Sequence, residues 1–363
     1  MYGATLTSTS AKKPATAVRV LLPVLLAFAA GVGVPVGAMA DELGVDAPQW
    51  VQQRSAILHL DNDLFGVSNR DRDYTGGLAI SVPQTTAPAL WNPERWLGSL
   101  AQSRNDDPVL RALQVQIIAF SPGELERSDV LDHDRPYASL WALSGARQRI
   151  GNGGREATFA ALTVGALGLS ATEAVHRALH RATGTELPAG YDHQISAGGE
   201  PTAKLTVARR RLLAGGEIGP GADLWWSVAG SVGYLTEASL ALAARFGDRG
   251  TPWWTNGAEL ADHAAAPDFG IAALGGERTL EAGVRVSARA YNAFLLGQFR
   301  HSDLRVDRSE IEPVIATAWI GLTVATLSGT RIAYRLSARS PEVRSGPASR
   351  VHFWGSISWS RAF

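Results

Sequence analysis

The 363-residue chain contains no cysteine. That excludes a disulfide framework and any thiolate metal site. It has no charge excess either: 34 basic and 34 acidic side chains cancel. With no basic surplus to displace counterions from phosphates, nucleic acid is not an expected partner. Charged residues are sparse, at 19% against 45% apolar, which suits one large domain or two small ones. Beyond the N-terminus, no apolar run is long enough to cross a bilayer as a helix.

That N-terminus reads as an export signal over residues 1–40. Lys12, Lys13 and Arg19 precede an apolar run from Val20 to about Val36, and Ala38-Met39-Ala40 is a small-x-small cleavage site. The alternative is a retained anchor, but the run is short of the ~20 residues a helical span needs. The mature chain then begins near Asp41, outside the cytoplasm.

What the sequence does have is period-two alternation from end to end. In the closing segment, Val351, Phe353, Ile357, Trp359 and Phe363 alternate with His352, Ser356, Ser358 and Ser360. Tyr74, Leu78, Ile80 and Val82 form one face of an earlier segment, with Thr75, Gly77 and Ser81 on the other. Val314, Ala316, Ala318, Ile320, Leu322 and Val324 form another apolar row. Comparable segments fall near 54–61, 110–120, 137–149, 155–167, 202–213, 223–234, 236–246, 281–291 and 330–339, about a dozen in all. Many have the ~10 residues that a tilted membrane strand requires. Residues 84–108, 247–279 and 340–349 read as loops.

A soluble β-sandwich alternates too. Three features favour a closed barrel in lipid: the export signal, a polar face of Ser, Thr, Gly and Ala rather than solvated charges, and a terminal aromatic residue closing an alternating strand. Closure satisfies every backbone group in hydrocarbon and removes the open edge.

Two stretches interrupt this pattern. Leu58 to Gly77 gathers Asp61, Asp63, Asp71 and Asp73, and such oxygens suit a hard cation. An EF-hand is excluded, because Arg72 stands where its bidentate glutamate belongs. A partial calcium site and a solvated loop both stay open. If Leu58 and Leu60 face lipid, Asn62 points outward and Asp63 inward, so both serve one site only where the strand bulges or ends. The second stretch, Ser170-Ala-Thr-Glu173, reads as a capping box opening a helix from Ala171 to about Thr183, with Gly184 at its C-terminus. His176 and His180 share one helical face. Arg177 after the first histidine breaks the zinc-protease pattern, so general-base work is the better use of an imidazole. Two surface histidines are the bland alternative.

Several ordered markers carry a family resemblance: Asn62-Asp63, Asp73-Tyr74-Thr75-x-Gly77, Asp134-Arg135-Pro136-Tyr137-Ala138, and His180 followed by Glu186, Pro188, Gly190-Tyr191-Asp192 and Gln194. With the closing Gly355-to-Phe363 strand, they resemble the outer-membrane lipid A 3′-O-deacylase family. The resemblance implies an all-β fold: a twelve-stranded antiparallel transmembrane barrel with a short extracellular loop helix packed beside the wall. It implies calcium-dependent hydrolysis of the 3′-linked acyloxyacyl ester of lipid A in the outer membrane. His180 would be the general base, with Asp63, Asn62 and Thr75 in the same site. Asp63 and Glu186 would supply oxygens to the ion, which stabilises the ester oxyanion.

Two residues depart from the family pattern. His176 stands where the family usually has Gln, and Arg127 where a studied member uses lysine. Both are expected near substrate, Arg127 pairing with lipid phosphate. Tyr74, Asp134, Arg135 and Tyr137 read equally well as residues that tie loops together. A monomer is expected. The competing readings are a non-catalytic pore or structural barrel, and an esterase acting on phospholipid.

Overall fold

The computed structural model describes residues 55–66, 72–84, 107–131 and 134–362. The export-signal reading, Asp71, most of the 84–108 loop and Phe363 lie outside these residues. The strands are β1 (Ser55–Asn62), β2 (Asp73–Gln84), β3 (Val109–Ser121), β4 (Ala138–Gly151), β5 (Glu156–Leu167), β6 (Glu200–Ala214), β7 (Gly219–Gly233), β8 (Leu235–Arg249), β9 (Glu277–Asn292), β10 (Val314–Ala325), β11 (Thr330–Arg339) and β12 (His352–Ala362). Each pairs antiparallel with its chain neighbours, and β12 pairs with β1 to close a twelve-stranded barrel. Helix α1 spans Ala171–Thr183 between β5 and β6. A single turn of helix, α2 (Ala293–Leu296), follows β9.

Alternation decides which face each residue takes. On β12, His352, Ser356 and Ser360 are buried inside, while Phe353 and Trp359 stand outside at 41% and 44% exposure. On β10, Val314, Ile320, Leu322 and Val324 are likewise exposed. Such an apolar outer band, with aromatic residues near its edges, is what hydrocarbon around a barrel requires.

The inside departs from the expected lining of small polar residues. It is packed with buried ion pairs: Arg245 with Asp223 at 2.7 Å and Glu277 at 3.3 Å, Arg289 with Glu237 at 2.8 Å, and Arg210 with Glu259 at 2.6 Å. These pairs also explain why β7 and β9 begin earlier than alternation suggests. Arg249 donates to the Gly219 and Pro220 carbonyls, and Glu277 points inward onto Arg245.

The segment 250–276 is a loop, as expected, but it folds into the lumen. Trp253, Trp254, Leu260, Phe269 and Ile271 join one apolar cluster with wall residues Phe159, Trp225 and Trp319. Burying those rings in a barrel interior is favourable at roughly 25 cal/mol per Å² of apolar surface. Polar contacts fix the plug further along. Lys204 pairs with Asp262, Arg285 donates to the Ala261 carbonyl at 2.7 Å, and Arg339 donates to His263.

Candidate functional site at the barrel rim

β1 stops at Asn62, and Asp63–Phe65 turn as a 3-10 helix. β2 begins with a register irregularity between Asp73 and Gly76, where Asp73 takes a left-handed φ of 67°. This bulge overturns the single-face reading of β2. Leu78, Ile80 and Val82 share one face, but Tyr74 turns into the lumen and donates to Asp61 Oδ2 at 2.7 Å. Gly77 leaves room for it, since a Cβ there would overlap the Tyr74 hydroxyl. The shift throws Thr75 to the opposite side, where its hydroxyl meets Ser121 Oγ at the end of β3. Asn62 Nδ2 donates to the Thr75 carbonyl at 3.0 Å. Asn62, Thr75 and Ser121 therefore sit together at one rim. Asp63 is buried beside them, and its Oδ2 accepts the Arg72 amide at 2.7 Å.

Helix α1 docks against the outside of the wall at the same rim. Trp141, outward-facing on β4, donates from Nε1 to Thr172 Oγ1 at 2.8 Å. The expected capping box does not form: Ser170 is itself helical (φ −60°, ψ −23°) and makes no side-chain cap. Glu173 instead pairs with Arg177 at 3.5 Å, one turn on. Gly184 closes the helix with φ 68°, a conformation open to glycine.

Both helix histidines are buried rather than surface groups, at about 5% exposure each. Their rings meet edge to face, with centroids 4.4 Å apart. His180 Nδ1 lies against the backbone carbonyl of Glu186. A carbonyl only accepts, so Nδ1 carries a proton, and in the neutral ring Nε2 is then the basic nitrogen. His176 Nδ1 lies 3.0 Å from the Tyr191 hydroxyl. The Glu186 carboxylate is exposed. Arg127 is also exposed and is held by Asp129 and Glu124, contacts that keep its guanidinium charged and raise its pKa.

The remaining marker residues brace the rim. Asp134 accepts the Gly123 and Arg135 amides. Arg135 pairs with Glu342 at 2.8 Å and lies over the Phe120 ring. Tyr137 packs on Tyr191 with centroids 4.6 Å apart and donates to the Leu125 carbonyl.

The chain matches, over residues 22–363, the family described as outer membrane protein LpxR. It belongs to that family. The LpxR structure from Salmonella typhimurium shares the fold, with a TM-score of 0.68 at 15% identity, covering 85% of this chain and all of that one. The β domain of the Bordetella autotransporter BrkA aligns over 86% of this chain and 98% of its own, but at 10% identity and a TM-score of only 0.39. No curated protein matches the chain.

As an LpxR-family member, the protein is a bacterial outer-membrane barrel. Among the described residues of this LpxR-family chain, no group of three or more His, Cys, Asp or Glu converges as a metal cage. The side chains at the end of β1 nonetheless carry oxygens, in the Asp63 carboxylate, the Asn62 amide and, across the β1–β2 pair, the Thr75 hydroxyl, while Glu186 lies exposed on the loop after α1. Such a set fits a hard cation, which readily completes its shell with carbonyls and water. Ser121 and Trp141 were not legible as site residues, because serines and tryptophans recur on many strands. Only the bulge, which no local composition marks, brings Ser121 to Thr75.

Proposed function

We propose that this protein is a lipid A 3′-O-deacylase, hydrolysing the 3′-linked acyloxyacyl ester with water activated by His180. The observation that carries the reading is the state of that imidazole. Its Nδ1–H is committed to the Glu186 carbonyl, which makes Nε2 the basic nitrogen of the neutral ring, the atom that takes a water proton. A buried helix ring, braced edge-on by His176, loses little freedom when it acts. Asn62, Thr75 and Ser121 supply polar groups on the adjoining strand ends to orient the ester. Arg127 is suited to a lipid phosphate by its planar fork.

Calcium belongs to the proposal through the oxygen donors of Asp63 and Asn62, with Glu186 as a further ligand. When bound, the ion supplies a Lewis acid for charge developing on the ester oxygen. A site at the rim of a lipid-embedded barrel meets an outer-leaflet lipid by lateral diffusion, with no need to extract it.

The pore alternative is disfavoured by the plug, whose tryptophans and ion pairs fill the lumen. The test is acyl release by the purified protein from lipid A and, separately, from phospholipid. The proposal expects release of the 3′ acyloxyacyl chain from lipid A alone, and none from His180→Ala. Equal release from phospholipid would favour the rival esterase.

A further inference from the structure

Inside the barrel, where β1 and β12 close the wall, three side chains unconnected with the helix histidines form a hydrogen-bonded line. His59 of β1 and Ser358 of β12 are cross-strand partners, and His59 Nδ1 lies 2.7 Å from Ser358 Oγ. His59 Nε2 lies 2.7 Å from Asp61 Oδ1, two residues along the same strand. The other Asp61 oxygen accepts the Tyr74 hydroxyl at 2.7 Å, which holds the carboxylate in place. A carboxylate only accepts, so Nε2 carries a proton, and in the neutral ring Nδ1 is then the basic nitrogen, facing the serine hydroxyl. Serine, histidine and aspartate thus stand as nucleophile, base and orienting group. His59 and Asp61 are buried, and Ser358 is half-buried.

Hydrogen bonds alone would make this a piece of the lumen's polar packing, but it borders an open space. A cavity of about 70 Å³ between the wall and the plug is lined by His59 and Ser358, by Ile57, Leu260 and Phe269, and by Asn256. It has room for roughly five waters, or for a short acyl group, whose methyl end the three apolar side chains suit. Asn256 is 6% exposed, and its Nδ2 is buried with no hydrogen-bond partner among the described residues. An unpartnered amide donor in the same cavity as a nucleophile is suited to a carbonyl oxygen that gains charge. The cavity extends from His59 toward Ile57 and Ser360. The tight turns 152–155, 215–218 and 326–329 lie at that end of the barrel, which is the periplasmic side.

We propose that the lumen holds a second esterase centre, with Ser358 as nucleophile, His59 as its general base and Asp61 as the residue that orients His59, acting on short acyl esters that enter from the periplasmic end. The Ser358 proton passes to His59 Nδ1 as Oγ bonds to the ester carbonyl carbon. The tetrahedral centre then collapses: the acyl–oxygen bond breaks, and the leaving alcohol takes the proton from Nδ1. Water, giving its proton to the same nitrogen, adds to the acyl-serine. The carboxylic acid leaves, and Nδ1 returns the proton to Ser358 Oγ. Asn256 Nδ2 donates to the carbonyl oxygen in both halves. None of these residues belongs to the proposed lipid A site, so the two readings stand or fall separately.

Treating the full, folded protein in detergent with methanesulfonyl fluoride, then mapping the label by peptide mass spectrometry, tests the nucleophile. Ser358 should be sulfonylated about 100-fold faster than Ser356 or Ser360, the neighbouring serines on β12, and His59→Gln should remove that advantage. Acetate release from 4-nitrophenyl acetate should fall about 100-fold in Ser358→Ala and His59→Gln, fall comparably in Asn256→Leu, and persist in His180→Ala. Heat-modifiable gel migration identifies folded variants. Labelling of Ser358 no faster than of Ser356 and Ser360, or unchanged labelling in His59→Gln, would overturn the proposal. So would acetate release by folded Ser358→Ala equal to that of the unaltered protein.

Discussion

Replacing Gly77 by alanine puts the β2 bulge under direct strain. The new methyl would occupy the place of the Tyr74 hydroxyl, which donates to Asp61 at 2.7 Å in the buried lumen. Overpacking of this kind costs ~1–3 kcal/mol. Expelling the tyrosine also removes a hydrogen bond to a carboxylate, worth ~1.5–3 kcal/mol. Gly77→Ala should therefore destabilise the barrel by ~3–6 kcal/mol. Tyr74→Phe deletes the hydroxyl but keeps the ring and the bulge, so it should lose only the second contribution. Urea unfolding in detergent, followed by tryptophan fluorescence, measures both. Because the displaced ring drags Thr75 away from Ser121, Gly77→Ala should also lose activity that Tyr74→Phe keeps. Gly77→Ala matching the unaltered protein in stability, or proving milder than Tyr74→Phe, would refute the argument that this glycine sets the rim.

Glu259→Ala leaves Arg210 buried beside the plug without its carboxylate and should cost ~3–5 kcal/mol in the same unfolding assay. Planar-bilayer recordings should find the intact barrel silent, and a version with 252–274 replaced by a short linker conducting. Acid should weaken the plug in two stages, read as thermal midpoint against pH. Burial, aided by Arg339, holds His263 well below its ordinary 6.5, so the unfolded chain takes the proton first and stability falls as pH drops below about 6.5. Burial alone would raise Asp262, but Lys204 and Arg285 outweigh it and pull it below 3.8; its contribution, present above that value, is lost on further acidification. His176→Phe keeps an aromatic edge against His180 but loses Tyr191, so it should lower kcat more than it raises KM.

Much of the barrel was legible because lipid outside and a packed lumen inside impose a strict period of two on every strand. Val314 to Val324 and the closing serines of β12 show that rule without ambiguity. The plug was not legible as a plug. Trp253, Trp254 and Leu260 sit in a stretch whose Gly, Pro and Asp content marks a loop, and nothing local says which side of the wall a loop takes. The lumen charges were hidden for a related reason: Arg245 and Glu277 look like solvated residues until the pairing register brings them together. At the site, helical spacing placed His176 and His180 on one face. The Thr75–Ser121 contact depended on a bulge that reverses the parity of β2, so counting residues put Thr75 on the wrong side.

The most direct measurement is a mass spectrum of lipid A from cells expressing this barrel, beside cells expressing His180→Ala, with calcium and with chelator. Lipid A shortened by its 3′ acyloxyacyl group is expected from the first culture with calcium, and full-length lipid A in the other conditions. Full-length lipid A from the unaltered, folded barrel in ample calcium, or shortened lipid A from His180→Ala, would contradict that expectation.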